Sequence, residues 1–203
     1  MDSNQNLTPR QFKNRQRFMR ISTFVFIALV VVLVSLIDSS PKSTLSSDQK
    51  TQFKQLNGIR GRVVKVVDGD TVDVELFKLK NKDGQPLVER IRLWGIDTPE
   101  TEKIRHGELL QKGEPYADEA TQLTRELCMD KIVELKLQEW RIRGYYGRLL
   151  AYIVLSDGTE LGEHLLAAGY ARSEDRWHHE KMKRYELLEL GAKKDKVGIW
   201  GKK

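Results

Sequence analysis

The stretch VVDGDTVDVELF, residues 66–77, sets the tightest limit on the fold. A Val-rich run, Arg62 to Val67, leads into Asp68-Gly69-Asp70. The chain leaves that point as TVDVELF, where Val72, Val74 and Leu76 alternate with Asp73 and Glu75. A period of two puts the apolar residues on one face of a strand. Asp-Gly is turn chemistry. The two acids therefore sit where a first strand turns into a second.

The same reading continues along the chain. Lys82-Asp83-Gly84 is a turn signal, and ERIRLWGI (89–96) is a third strand, with Ile91 and Leu93 opposite Arg90 and Arg92. Pro99 in DTPE ends it, because proline cannot continue a ladder. Residues 101–115 hold Gly107, Gly113 and Pro115 among charges and read as a loop. Tyr116, Ala120, Leu123 and Leu127 form one stripe of a helix. KIVELKLQEW alternates with Val133, Leu135 and Leu137 inward, and LLAYIVL is a buried strand. Leu161, Leu165 and Ala168 mark a short helix stopped by Gly169, and Met182, Tyr185, Leu188 and Ala192 mark a last one. The order is three strands, helix, two strands, helix, helix. It predicts an α+β domain over residues 59–203, mainly β with three helices packed on a five-stranded barrel of the oligonucleotide/oligosaccharide-binding (OB) type. An open α+β sandwich fits the same pattern.

Charge separates the chain into two parts. The 203 residues carry a net charge of +6, but residues 1–58 hold 8 basic and 3 acidic residues, leaving 27 basic and 26 acidic for the remainder. The folded part is close to neutral, so a nucleic-acid reading has to rest on placed residues, not on bulk charge. A single cysteine, Cys128, excludes an internal disulfide and a cysteine metal cluster. Residues 21–37, ISTFVFIALVVVLVSLI, carry no charge, Gly or Pro and would span roughly 25 Å as a helix, near the lower limit for crossing a bilayer. The basic flank of residues 1–20 predicts a single-pass anchor in the cell membrane, with a cytoplasmic N-terminus and residues 59–203 outside the cytoplasm. A signal peptide cleaved to release a secreted protein, a buried core helix and mitochondrial targeting are the other readings. Residues 38–58 are polar and predict a flexible tether between the two parts.

Asp68, Asp70 and Asp97 stand at strand ends, and strand ends from different hairpins meet at one rim of a barrel. Carboxylates brought together need a cation between them, or one must stay protonated. Oxygen ligands without His or Cys favour Ca²⁺ or Mg²⁺ over Zn²⁺. Each acid alone is ordinary turn chemistry. Arg92 and Arg148 are guanidinium groups suited to gripping two phosphate oxygens, though each alone reads as a surface charge. Glu100, three residues after Asp97, is a candidate general base.

DGDT (68–71), R....DTPE (92–100) and YGR (146–148), in that order, resemble the thermonuclease, or staphylococcal nuclease, family. The similarity runs on through LAYI (150–153), GYA (169–171) and GIW (198–200), covering about residues 60–200. The resemblance implies an OB barrel and a Ca²⁺-dependent phosphodiesterase acting on DNA and RNA. It implies Asp70 and Asp97 as carboxylate ligands of Ca²⁺, with the Thr98 carbonyl as a third, and Asp68 as an acid outside them that orients water. Glu100 corresponds to the general base, Arg92 and Arg148 to the phosphate-binding arginines, and Tyr146 to a tyrosine beside the nucleotide's phosphate. No protein partner is expected, and the domain is expected to be monomeric. A membrane-anchored module that binds nucleic acid without cutting it is the alternative function.

Three departures from the family pattern stand out. Gly144 occupies a place where the family commonly has an acid, which predicts a looser loop around Arg148. The loop from Glu102 to Pro115 is longer than in the type member. The stretch after Gly169 lacks a pair of tyrosines that flank the base, a place that Trp177 fills by stacking or leaves for a packing role. His178 and His179 read as a solvated helix start, and Cys128 as buried filler.

Overall fold

A computed structural model of the chain describes residues 45–105 and 108–201. The segments expected as cytoplasmic tail and membrane anchor, residues 1–20 and 21–37, lie outside the described residues. Among the described residues no helix is long and apolar enough to cross a membrane.

The core is a five-stranded sheet closed on itself. Strands β1 (Arg60–Asp68), β2 (Thr71–Lys80) and β3 (Pro86–Leu93) form an antiparallel meander. Strand β7 (Ile132–Lys136) pairs antiparallel with β8 (Leu149–Val154). A parallel β3–β8 contact and an antiparallel β1–β7 contact complete the closed barrel β1-β2-β3-β8-β7. The alternation in TVDVELF is realised: Val72, Val74 and Leu76 are buried, while Asp73 and Glu75 point outward. Strand β1 does not alternate simply. Its register shifts between Val63 and Lys65 and again between Val66 and Asp68. These irregularities keep Val63 and Val66 inward and bend the strand just before the Asp-Gly-Asp turn.

Among the described residues, four short strands lie outside the barrel. β4 (Ile96–Asp97) pairs with β9 (Arg172–Ser173). β5 (Lys103–Arg105) and β6 (Glu108–Gln111) form a hairpin where the Gly and Pro content of residues 101–115 predicts a plain loop. The plain loop is replaced because antiparallel strands can pair through their backbones without a buried face, and Leu109 and Leu110 on β6 are exposed.

Helix α1 (Ser47–Leu56) corrects the reading of residues 38–58 as a flexible tether over the part described. Ser46 and Gln49 form a capping box, the Gln49 N–H donating to the Ser46 hydroxyl and the Ser46 N–H to the Gln49 side chain. Leu56 is buried and Phe53 packs on the core. The Gly58 N–H donates to the Leu135 carbonyl at 2.7 Å and the Leu137 N–H to the Asn57 side chain at 2.9 Å, fastening this segment to β7 and the residue after it. Two apolar residues in a polar stretch were too sparse a signal for the sequence pattern.

The three expected helices follow: α2 (Ala117–Cys128), α3 (Leu161–Ala167) and α4 (Met182–Asp195). Helix α2 buries Ala120, Thr124 and Cys128, with Leu123 and Leu127 partly covered. Its position fixes the acid turn from behind. The Thr124 hydroxyl donates to the Gly69 carbonyl at 2.7 Å. A Cβ on Gly69 would lie 2.7 Å from the Thr98 hydroxyl oxygen and 2.9 Å from the Ala120 Cβ. Glycine is required there by close approach, not by an unusual φ.

Candidate functional site

The turn between β1 and β2, the end of β3 and the strand β4 meet at one rim. Asp70 is buried, and its Oδ2 accepts from the Thr98 N–H and from the Thr98 hydroxyl, each at 3.1 Å. Its Oδ1 accepts from the Thr71 hydroxyl at 3.0 Å. Arg92 joins the two carboxylates: Nη1 forms an ion pair with Asp70, and Nη2 donates to Asp97 Oδ1 at 2.7 Å. Asp68 stands behind, its Oδ1 accepting from the Asp70 N–H at 3.2 Å, so it braces the turn.

The electrostatics are those of surplus negative charge. Burial pushes the Asp70 carboxyl up to about 6, Arg92 opposes the rise, and the charge of Asp68 adds to it. Asp97, half-exposed, is also raised by burial, opposed by Arg92 and pushed further by Asp70, Glu174 and Glu100. One guanidinium does not neutralise this group of acids. Asp70 and Asp97 offer hard oxygen donors with charge to spare, and no sulfur or imidazole ligand is among them, so the donor set fits a hard divalent cation. Among the described residues no three His, Cys, Asp or Glu side chains come together as a ready-made cage. A cation here would draw the rest of its shell from main-chain oxygen and water.

Arg148 is tied to the acids through Thr71. Its Nη1 donates to the Thr71 hydroxyl at 3.3 Å, and that hydroxyl in turn donates to Asp70 Oδ1 at 3.0 Å. The direction of the chain, Arg148 to Thr71 to Asp70, is fixed because a hydroxyl has one proton to give. Tyr146 is largely exposed, with the Arg148 guanidinium 5.9 Å from its ring centroid. Arg92, Tyr146, Arg148 and Trp177 share the wall of a cavity of about 280 Å³. Trp177 is half-exposed there, and the Arg141 guanidinium lies 4.1 Å from its ring centroid. Glu100 lies close enough to raise Asp97. Its N–H donates to Glu114 Oε2 at 3.1 Å, and the Glu114 N–H donates back to the Glu100 carbonyl at 2.9 Å. The structure thus gathers Asp68, Asp70, Asp97, Thr98, Arg92 and Arg148 in one contiguous network, with Glu100 beside Asp97 and with Tyr146 and Trp177 on the adjoining cavity wall.

Several contributors were not foreseen. Thr71 and Glu114 act on residues that sequence reasoning did select, and the T of DGDT was the only available sign for either. The loop around Arg148 is not left loose by Gly144. Arg143 closes it, donating to both carboxylate oxygens of Glu89 at 2.9 and 3.0 Å and to the Gly147 carbonyl at 3.0 Å. His179, expected in solvent, is buried against Trp94 and Tyr152, with Nδ1 3.1 Å from the Tyr152 hydroxyl. Cys128 is buried, its thiol donates to the Thr124 carbonyl, and burial pushes its pKa up to about 12, which suits filler.

Comparison with known proteins bears on this arrangement directly. Residues 90–202 match the model of the staphylococcal nuclease homologue family. The chain is 30% identical over 171 residues to the endonuclease Htp3 of Saprolegnia parasitica, covering 78% of this chain and 77% of that protein. It is 32% identical over 155 residues to the endonuclease YncB of Bacillus subtilis, covering 75% and 65%. It is 30% identical over 183 residues to a thermonuclease of Staphylococcus hyicus, covering 89% and 98%. The chain belongs to the staphylococcal nuclease homologue family and is a hydrolase of the nuclease type.

Proposed function

We propose that residues 59–203 form an OB-type nuclease domain that hydrolyses phosphodiester bonds within DNA and RNA with Ca²⁺ as cofactor. The observation that carries this reading is the shared guanidinium: Arg92 contacts both Asp70 and Asp97, and Arg148 reaches the same carboxylate through Thr71. Asp70 and Asp97 would hold the ion with the Thr98 carbonyl, and Asp68 would stay outside as an acceptor for water. When bound, Ca²⁺ supplies positive charge against the non-bridging oxygens of the phosphate as charge builds on them.

The chain's own residues supply the remainder. Arg92 and Arg148 hold the phosphate and offset charge in the transition state. Glu100 takes a proton from the attacking water, and the restraints from Glu114 hold its backbone in place. Tyr146 and Trp177 offer ring faces to the adjoining nucleotide. With only a few protein oxygens, the ion would bind weakly, on the order of the 10⁻⁴–10⁻³ M of extracellular modules. That suits a domain held outside the cytoplasm by residues 21–37 as a single-pass anchor in the lipid bilayer, with release by signal cleavage as the alternative. The domain works as a monomer on its substrate, without a protein partner.

The test is cleavage of single-stranded DNA, double-stranded DNA and RNA in Ca²⁺, in Mg²⁺ and in chelator, with Asp70→Ala and Arg148→Ala alongside. Cleavage that needs Ca²⁺ and collapses in both variants supports the enzyme and its ion together. A folded wild-type protein that binds these polymers and cuts none of them at millimolar Ca²⁺ would make it a binding module.

A further inference from the structure

Two grooves are lined by residues on either side of Asp97 and Thr98 in the chain. Ile96 lines the cavity that holds Arg92, Arg148 and Tyr146. Pro99, three residues further on, lines a second groove of about 410 Å³. Asp97 and Thr98 stand between these two lining residues along the chain. The walls of the second groove are Pro99, Pro115, Tyr116 and Ile199, with Glu114 and Arg172 as its charged members. Glu114 is already engaged, since its Oε2 accepts the Glu100 N–H. Arg172 is the register partner of Asp97 across β4 and β9. Its guanidinium lies 5.6 Å from the Trp200 ring centroid, and among the described residues no carboxylate pairs with it. A cation stacked on an indole without an ion-pair partner keeps its five donors for an incoming anion.

We propose that this second groove binds the nucleotide on the other side of the scissile phosphodiester from Tyr146 and Arg148. The inference rests on the nuclease reading above and extends it. Arg172 takes the next phosphate along the strand, and the Pro99, Pro115, Tyr116 and Ile199 surface covers the sugar and base. The volume falls within the 300–1,000 Å³ usual for small-molecule pockets, enough for one nucleotide. A strand lying in both grooves is held on either side of the bond to be cut. A substrate that fills both grooves reaches Arg172 with a second phosphate, which a single nucleotide ester lacks.

The experiment compares two substrates of the full-length protein in Ca²⁺. One is decathymidylate, and the other is a p-nitrophenyl ester of a thymidine nucleotide, which offers no second phosphate to Arg172. Wild type, Arg172→Gln and Arg172→Lys are assayed on both. The expected result is that Arg172→Gln loses about tenfold more kcat/KM on the decanucleotide than on the ester, mainly through KM, and that Arg172→Lys restores most of it. Binding of fluorescein-labelled decathymidylate in chelator is measured in parallel, where the Gln variant should flatten the salt dependence by about one phosphate contact. Equal losses on both substrates would mean that Arg172 only supports the Asp97 strand, and the proposal would fall. No loss on either would also overturn it. If wild type cleaves neither substrate, the nuclease reading itself fails, and this one with it.

Discussion

At the scale of single residues, the site is organised by shortage of positive charge. Asp70 is ionised at neutral pH although burial pushes its carboxyl up to about 6. On the proposed function, the ion site retains a charge that folding would rather lose. Asp70→Asn should therefore raise the thermal midpoint at pH 7 without added cation while removing activity, as calorimetry and cleavage assays on the same sample would show. An Asn variant that melted lower would mean that the Arg92 ion pair outweighs the desolvation of the carboxylate. Thr71 carries the second prediction. Its hydroxyl accepts from Arg148 and donates to Asp70, so Thr71→Val leaves both without that partner at nearly constant volume. Activity should fall roughly tenfold, equivalent to about 1.4 kcal/mol, and Thr71→Ser should recover most of it. Equal activity in the Val and Ser variants would show that the hydroxyl positions nothing.

At the scale of elements, helix α2 sets the acid turn through contacts that leave no room for a side chain at Gly69. Gly69→Ala must push against both the Thr98 side chain and Ala120. The expected cost is about 1–3 kcal/mol in urea unfolding, with weaker activity because Thr98 is a partner of Asp70. A neutral outcome would mean that α2 can shift without disturbing the turn. Strands β2, β3 and β7 were legible because each buries one face and writes it as alternation, and β8 because it is apolar throughout. The hairpin β5–β6 and helix α1 were not legible. The hairpin sets Ile104, Leu109 and Leu110 among charges without a sustained alternation, and α1 has only Phe53 and Leu56 to declare which side packs. Elements held mainly by caps and long-range hydrogen bonds leave little periodic trace.

For the whole molecule, acid stability should depend on His179. Burial, with the neighbouring charge of His178, lowers its pKa from 6.5 to about 4. The unfolded chain binds the proton more readily, so the stability from keeping His179 neutral is present above pH 6.5 and lost as pH falls toward 4. Between pH 7.5 and 5 this amounts to about 2 kcal/mol. Glu160 and Asp70, both raised by burial, work in the opposite sense as they take up protons. The clean measurement is a difference: wild type should lose about 2 kcal/mol more than His179→Gln between those two pH values. Parallel losses in urea titrations would show that the ring is not held neutral by the fold.

The sequence by itself determined where the barrel strands form, because burial writes itself as alternation or as an unbroken apolar run, and which acids and arginines stand as candidates, because DGDT, DTPE and YGR bring them in a recognisable order. Only the tertiary structure decided how those residues act on one another. Arg92 and Asp97 are five positions apart, but Asp70 is 28 from Thr98, and Arg148 is 77 from Thr71. Such contacts depend on barrel closure and on strand register, and neither has a local signature. The burial that raises Asp70, the neutral state of His179 and the groove beside Arg172 have the same origin. Each is a property of what surrounds a residue, and the surroundings come from parts of the chain far away in sequence.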